Sequence, residues 1–293
     1  MKNIKLIPAL ILLIVFINSC DYVTPTKSTT TKIVDTATYI TKVLVEDYTG
    51  HGCGNCPYAA YQLDTLLNQY GSQIVPIAVH AGYFADTNAF GANFKTNFNT
   101  SVGTDWDNFF GMSLYGNPIG MIDRTGYSGS QYQLYTAWGG SIGVLAATKP
   151  AMTIKISNSY NSTTRTINDS IICTYLQALD STYKLSVLIT EDSIINYQEE
   201  YINSGATLIT IPNYVFNHVL RGSMNGSWGD TLSTGTQPAM ATFTKVYTLG
   251  LGSLVNTSGA PNVLADKNCH VVAFIYNSAT YEVIQAEEVW VTH

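Results

Sequence analysis

Hydrophobic residues fall in three different rhythms along this 293-residue chain. Leu6–Ile17 is one continuous apolar run. From Ile40 to Ala147 short apolar runs alternate with stretches of near-helical spacing, and after Pro150 the spacing shortens to two. In the middle region Ile40–Tyr48 predicts a buried strand. Ala59–Tyr70 predicts a helix, with Tyr61, Leu63, Leu66, Leu67 and Tyr70 near one face. Ile74–His80 predicts a second short strand. Phe84–Val102 is polar and aromatic and reads as helix plus loop, and Trp106–Leu114 as a short helix. Gly116–Asp123 predicts a third strand entered through Pro118. Gln131–Ala147 reads as a further helix carrying Trp138, Ile142 and Leu145 on one side.

Beyond Pro150, Met152–Ser157, Thr166–Leu176, Tyr183–Thr190, Thr242–Leu249, Cys269–Asn277 and Tyr281–Val291 alternate or run apolar, with turn residues between. Six or seven strands over such a length suit an immunoglobulin-like β-sandwich. Asn196–Gly235 is longer and less regular, and holds Asn217–Arg221 and Trp228. Long ordered insertions in compact domains are often functional. The expected organisation is therefore an α/β domain, thioredoxin-like in layout, over 37–149, followed by an all-β sandwich over 150–293.

The first rhythm is an address. Lys2 and Lys5 precede an apolar stretch of about a dozen residues, too short for a comfortable membrane span. It ends at Ile17-Asn18-Ser19-Cys20, which resembles a bacterial lipobox with Ile17 at the usual Leu position. Residues 1–19 are expected to be a lipoprotein signal peptide and Cys20 the acylated mature N-terminus, bound to a membrane. An ordinary secretory peptide with a chance cysteine is the alternative. Residues 20–36, rich in Thr, Ser and Lys, read as a lipidated tether. Without residues 1–19 the chain keeps 12 basic against 20 acidic side chains, net −8, with no basic run. That balance argues against nucleic-acid binding. Charged residues make up only 12% of the chain, which suits an exported, β-rich protein whose paired cysteines oxidise.

Five cysteines then divide by context. Cys20 would carry lipid, Cys53 and Cys56 would pair, and Cys173 and Cys269, each in a strand, would form a structural disulfide. A four-thiolate zinc site is the competing use, disfavoured because the second pair is 96 residues apart. The chemistry concentrates in Val43–Pro57, where a strand runs through Thr49-Gly50 into Cys53-Gly54-Asn55-Cys56-Pro57 and then a helix. Unpaired N–H groups and the dipole at a helix start favour the thiolate. The layout resembles thioredoxins. Cys53 would be the nucleophile and Cys56 the resolving thiol. Asp47, six residues before Cys53, would take the resolving thiol's proton, and Pro118 would be a cis-proline facing the disulfide. Gly52 stands where thioredoxins usually carry tryptophan, and Gly54-Asn55 replaces the Gly-Pro of strong reductants. The same residues also suit a structural staple, a solvated strand-end aspartate and an ordinary trans turn. His51 reads as an exposed loop residue or as a cation that tunes the Cys53 thiol, and His80 as a satisfied core-edge histidine rather than a catalyst.

Taken together, E-D-Y-T-G-H-G-C-G-N-C-P, P-I-A-V-H-A-G-Y-F, G-N-P-I-G-M-I-D-R and N-H-V-L-R resemble the outer-membrane-protein-28-related lipoproteins of Bacteroidetes. The resemblance spans nearly the whole mature chain. It implies an outer-membrane lipoprotein with a thioredoxin-like domain and a C-terminal β domain, and for such proteins surface adhesion has been suggested. No Gly-rich phosphate loop, H-E-x-x-H or G-x-S-x-G is present, and no histidines pair at metal-ligand spacing, so no cofactor or metal is expected. Two functions remain: thiol–disulfide exchange with thiol-bearing partners, or a surface binding module in which the C-x-x-C is structural.

Overall fold

The computed structural model describes residues 39–254 and 264–292. The signal-peptide, tether and Cys20 expectations lie outside them. The first half runs β1 (Val43–Thr49), α1 (Cys56–Tyr70), β2 (Ile74–His80), α2 (Ser101–Phe110), β3 (Ile119–Ile122), β4 (Tyr132–Gln133) and α3 (Trp138–Ala146). β1 pairs parallel with β2 and antiparallel with β3, and β3 pairs antiparallel with β4. α1 carries Pro57 in its first turn, where a missing N–H costs nothing. It buries Ala59, Leu63 and Leu66 with Val43, Val45, Trp138 and Ile142 on one face of the sheet. α2 lies on the other face. The Thr100 hydroxyl caps it by accepting from Gly103 N at 2.9 Å, and left-handed Gly111 ends it.

The second half is a run of strands: β5 (Met152–Asn161), β6 (Thr166–Tyr175), β7 (Leu179–Asp180), β8 (Tyr183–Glu191), β9 (Ile194–Ile202), β10 (Thr207–Phe216), β11 (Val219–Ser223), β12 (Asp230–Ser233), β13 (Thr236–Gln237), β14 (Thr242–Gly250), β15 (Cys269–Asn277) and β16 (Val283–Trp290). The architecture is β-rich, with one mixed sheet. Its order is β16-β15-β8-β11-β2-β1-β3-β4, with β12 also on β8. The strands of both halves thus share one sheet, joined where Val219 of β11 meets Ala78 of β2 and Ala78 N donates to His218 O at 2.8 Å. A three-stranded sheet, β14-β6-β5, packs over its far end. β5 alternates as a half-buried strand should, with Met152, Ile154 and Ile156 inward and Lys155 and Ser157 exposed.

β8 and β15 are covered on both faces. Leu185, Val187, Ile189, Val271, Ala273 and Ile275 meet the three-stranded sheet. Leu188, Val272, Phe274 and Tyr276 meet α2 and the first half's core. The Arg124 guanidinium sits at this junction, fully buried. It donates from Nε and Nη2 to the Glu46 carboxylate at 2.8 and 2.7 Å. The rings of Trp106, Phe110 and Phe274 lie about it at 4.7 to 5.0 Å. A buried carboxylate and guanidinium persist together because each supplies the other's charge and hydrogen bonds.

Three expectations need correction. Cys173 and Cys269 are buried thiols and not a disulfide, although both belong to the same core cluster. Each behaves there as a small apolar side chain, and burial pushes the Cys173 thiol up to about 12. Gln131–Ala147 is not one helix, because residues 132–133 pair with β3 before α3 begins at Trp138. Asn196–Gly235 is mostly regular strand. Its order is as expected, and Arg221 within it is buried against Glu191, Nε to Oε2 3.4 Å, as a paired cation.

Candidate functional site

Cys53 and Cys56 form a disulfide at the start of α1, with Cα atoms 5.4 Å apart. It is almost wholly buried, Cys53 being 1% and Cys56 3% exposed. Two structures cover it. Residues 84–98 form one wall, where Gly52 N donates to Phe84 O at 3.0 Å and the Phe90 ring lies against Gly52. A Cβ on Gly52 would stand 2.4 Å from that ring, so a larger residue there requires the Phe90 ring to move. The β9–β10 hairpin forms the other. Glu199 N donates to His51 O at 2.9 Å, Tyr201 N donates to Gly54 O at 2.8 Å, and Gln198 Nε2 donates to Cys53 O at 2.9 Å. The Tyr58 hydroxyl donates to Tyr201 O. A Cβ on Gly54 would stand 2.5 Å from the Tyr201 ring. The glycines at 52 and 54 are thus the spacing that lets both covers touch the backbone.

Asp47 sits in the middle of β1. It is 3% exposed, and among the described residues its Oδ1 has no hydrogen-bond partner. Burial alone pushes its carboxyl up to about 7. Asp47 and Cys56 line a common cavity of about 390 Å³, walled by α1, β1, β2 and β10. His80, at the end of β2, lines it too. Both its ring nitrogens are buried without partners among the described residues, and burial lowers it to about 3. Pro57, Ala60, Tyr61, Asp64, Tyr214 and His218 complete much of the wall.

The Asn117-Pro118 bond is cis. It precedes Ile119, which pairs with Tyr48, so it enters the sheet at the end of β1 that leads to the disulfide. His51 is buried rather than exposed. Its ring lies 5.3 Å from Phe94, among Phe90 and Phe98, and burial lowers it to about 4. It is therefore neutral near pH 7 and supplies no cation to Cys53. Sequence reasoning missed the β9–β10 cover, Gln198 and the cavity-facing role of His80. The glycine at every second position of G-H-G-C-G was the one signal for close covers. Among the described residues no group of three or more His, Cys, Asp or Glu side chains is placed to hold a metal ion.

The sequence profile of the family described as "Outer membrane protein Omp28" matches residues 104–293. That span includes Pro118 and the β9–β10 hairpin but not Cys53 or Cys56. Among solved structures the chain is similar to HBP35 of Porphyromonas gingivalis. The identity is 16%, the match covers 86% of this chain and 75% of that one, and the TM-score is 0.58. It is also similar to a domain of the outer membrane lipoprotein Omp28 from the same organism, at 20% identity, 48% and 88% coverage and a TM-score of 0.32. A search of curated proteins finds no match.

Proposed function

This chain belongs to the Omp28 family of outer-membrane proteins, and on that premise we propose that it is a lipid-anchored, thioredoxin-like protein of thiol–disulfide exchange in the cell envelope. The order β1-α1-β2-α2-β3-β4-α3 with the sheet order β2-β1-β3-β4 supports the thioredoxin-like reading, as does the C-x-x-C at a helix start. The observation that carries the chemistry is Asp47. Burying a carboxyl without a hydrogen-bond partner is costly, and such groups concentrate at functional sites. A disulfide that served only as a staple has no use for a carboxyl held near neutrality in a cavity it shares with Cys56. In exchange, Cys53 and Cys56 pass through a mixed disulfide and Asp47 takes or returns the proton.

The test is the Cys53–Cys56 reduction potential, measured by equilibration against glutathione and dithiothreitol buffers. A value well above about −300 mV supports exchange. A pair that stays oxidised to or below about −300 mV is a staple. The burial of the disulfide under β9–β10 favours that second reading, a surface binding module stabilised by its C-x-x-C. The anchor belongs to the same proposal: Cys20→Ala should release the protein from the membrane fraction or block its processing. Normal cleavage with unchanged retention would defeat it.

A further inference from the structure

The two sulfurs of the disulfide face different surroundings. Around Cys53 the backbone is already occupied. His51 O and Gly54 O accept from the N–H groups of Glu199 and Tyr201, Cys53 O accepts from Gln198, and Gly54 packs on Tyr201 and Leu208. β9 takes up these backbone acceptors of residues 51–54, so they are not open to an incoming extended peptide. Cys56, by contrast, lines the cavity of about 390 Å³, at the small end of the range that holds small molecules. The cavity is polar at its inner end, where Asp47 Oδ1 and both nitrogens of His80 are buried and unpartnered among the described residues. Its wall carries a second carboxyl, Asp64, and among the described residues no Lys or Arg.

We propose that this cavity is the substrate site, that it takes a low-molecular-weight aminothiol or its disulfide rather than a protein, and that Cys56 is the sulfur attacked. This rests on the exchange reading above and reverses the roles expected from the order of the two cysteines. The Asp64 carboxyl on the wall selects an ammonium group, and the bound thiol stands beside Cys56. The thiol gives its proton to Asp47 and its sulfur attacks Cys56 Sγ. A bond forms between the two, the Cys53–Cys56 bond breaks, and its electron pair leaves on Cys53 Sγ, which takes up a proton. A second aminothiol attacks the substrate sulfur of the mixed disulfide, and the pair leaves on Cys56. The protein disulfide is reduced to two thiols and two aminothiols are oxidised to one disulfide; run backwards, the same steps reduce a small disulfide.

The experiment uses the full chain with Cys53→Ser or Cys56→Ser, reduced and then exposed to cystamine or to dithiodipropionate, with adducts located by peptide mass mapping. Cys56 in the Cys53→Ser protein should react with cystamine at least about tenfold faster than Cys53 in the Cys56→Ser protein, and about tenfold faster than with the dianionic probe. Ala60→Trp, which fills the cavity, should slow the Cys56 reaction while the circular dichroism spectrum stays unchanged. In the wild type, quenching a reaction with cysteamine should leave the adduct on Cys56. An adduct on Cys53, a faster Cys53, or indifference to Ala60→Trp would overturn the proposal, and equal rates with both probes would overturn the aminothiol assignment. If the wild-type potential lies in the exchange range while Cys53 proves the faster thiol, this inference alone fails; if the pair cannot be reduced, the exchange reading fails with it.

Discussion

Asp47 is the residue whose chemistry and whose cost are most directly linked. Its folded carboxyl titrates near 7 and its unfolded one near 3.8. The folded state therefore holds the proton more tightly across that interval. Asp47's contribution to stability is most favourable below its unfolded value and is lost as the pH rises through 7. Asp47→Asn keeps the shape and removes the charge. It should raise the stability of the oxidised protein by about 2–4 kcal/mol at pH 8 and by little at pH 4. Urea unfolding at the two pH values reads this; an equal gain at both would mean that Asp47 is not ionised in place. The same substitution should slow thiol exchange, so stability and activity should move in opposite directions. Asp47 and Pro118 were legible in sequence because their positions follow from strand ends and from the distance to Cys53. His80 was not. A histidine closing an apolar strand has the same pattern whether its ring is satisfied by neighbours or left without partners beside a cavity, and only the arrival of β10 decides which.

At the scale of elements the β9–β10 hairpin is one of the two covers that keep the disulfide from solvent. Its strands escaped the alternation rule for identifiable reasons. Glu199 and Glu200 sit side by side in β9, Pro212 and Asn213 interrupt β10, and the register shifts between Ile211 and Tyr214. β9 also spends its outer N–H groups on the 51–54 loop, a pairing between distant segments that local pattern does not encode. Tyr201→Pro removes the N–H that Gly54 O accepts, while the neighbouring Leu208 stays opposite position 201. In the Cys56→Ser background this change should increase the reaction of Cys53 with glutathione disulfide by about tenfold or more. A rate unchanged from that of Cys56→Ser alone would show that the hairpin is not what shields Cys53. The elements that the sequence marked well, β2 and β15 among them, are those whose apolar residues are buried on both faces along nearly their whole length.

At the scale of the whole molecule, the open question was how the two halves meet, and periodicity has no access to it. The strands of 150–293 were readable one by one, but alternation reports which face is apolar and not what lies against it. One hint was present: β15 is a nearly continuous apolar run and β8 holds Val187, Leu188 and Ile189 in succession, as suits strands covered on both faces. Their second cover is the first half itself, through α2 and the shared sheet. Arg124 ties this junction. Glu46 comes from β1, Trp106 and Phe110 from α2, and Phe274 from β15, so one guanidinium touches three elements far apart in sequence. Arg124→Met leaves the Glu46 carboxylate buried without a counter-charge and should destabilise the protein by about 3–5 kcal/mol, whereas Glu46→Leu combined with Arg124→Met should recover much of the loss. Because the core around Leu44, Leu188 and Phe274 draws on both halves, denaturant unfolding of residues 37–293 should show one transition by tryptophan fluorescence and by circular dichroism. The Arg124→Met protein should shift that transition as a whole. Two separated transitions, with only the first moved by the substitution, would show instead that the halves hold together independently and that the Arg124 junction does not couple them.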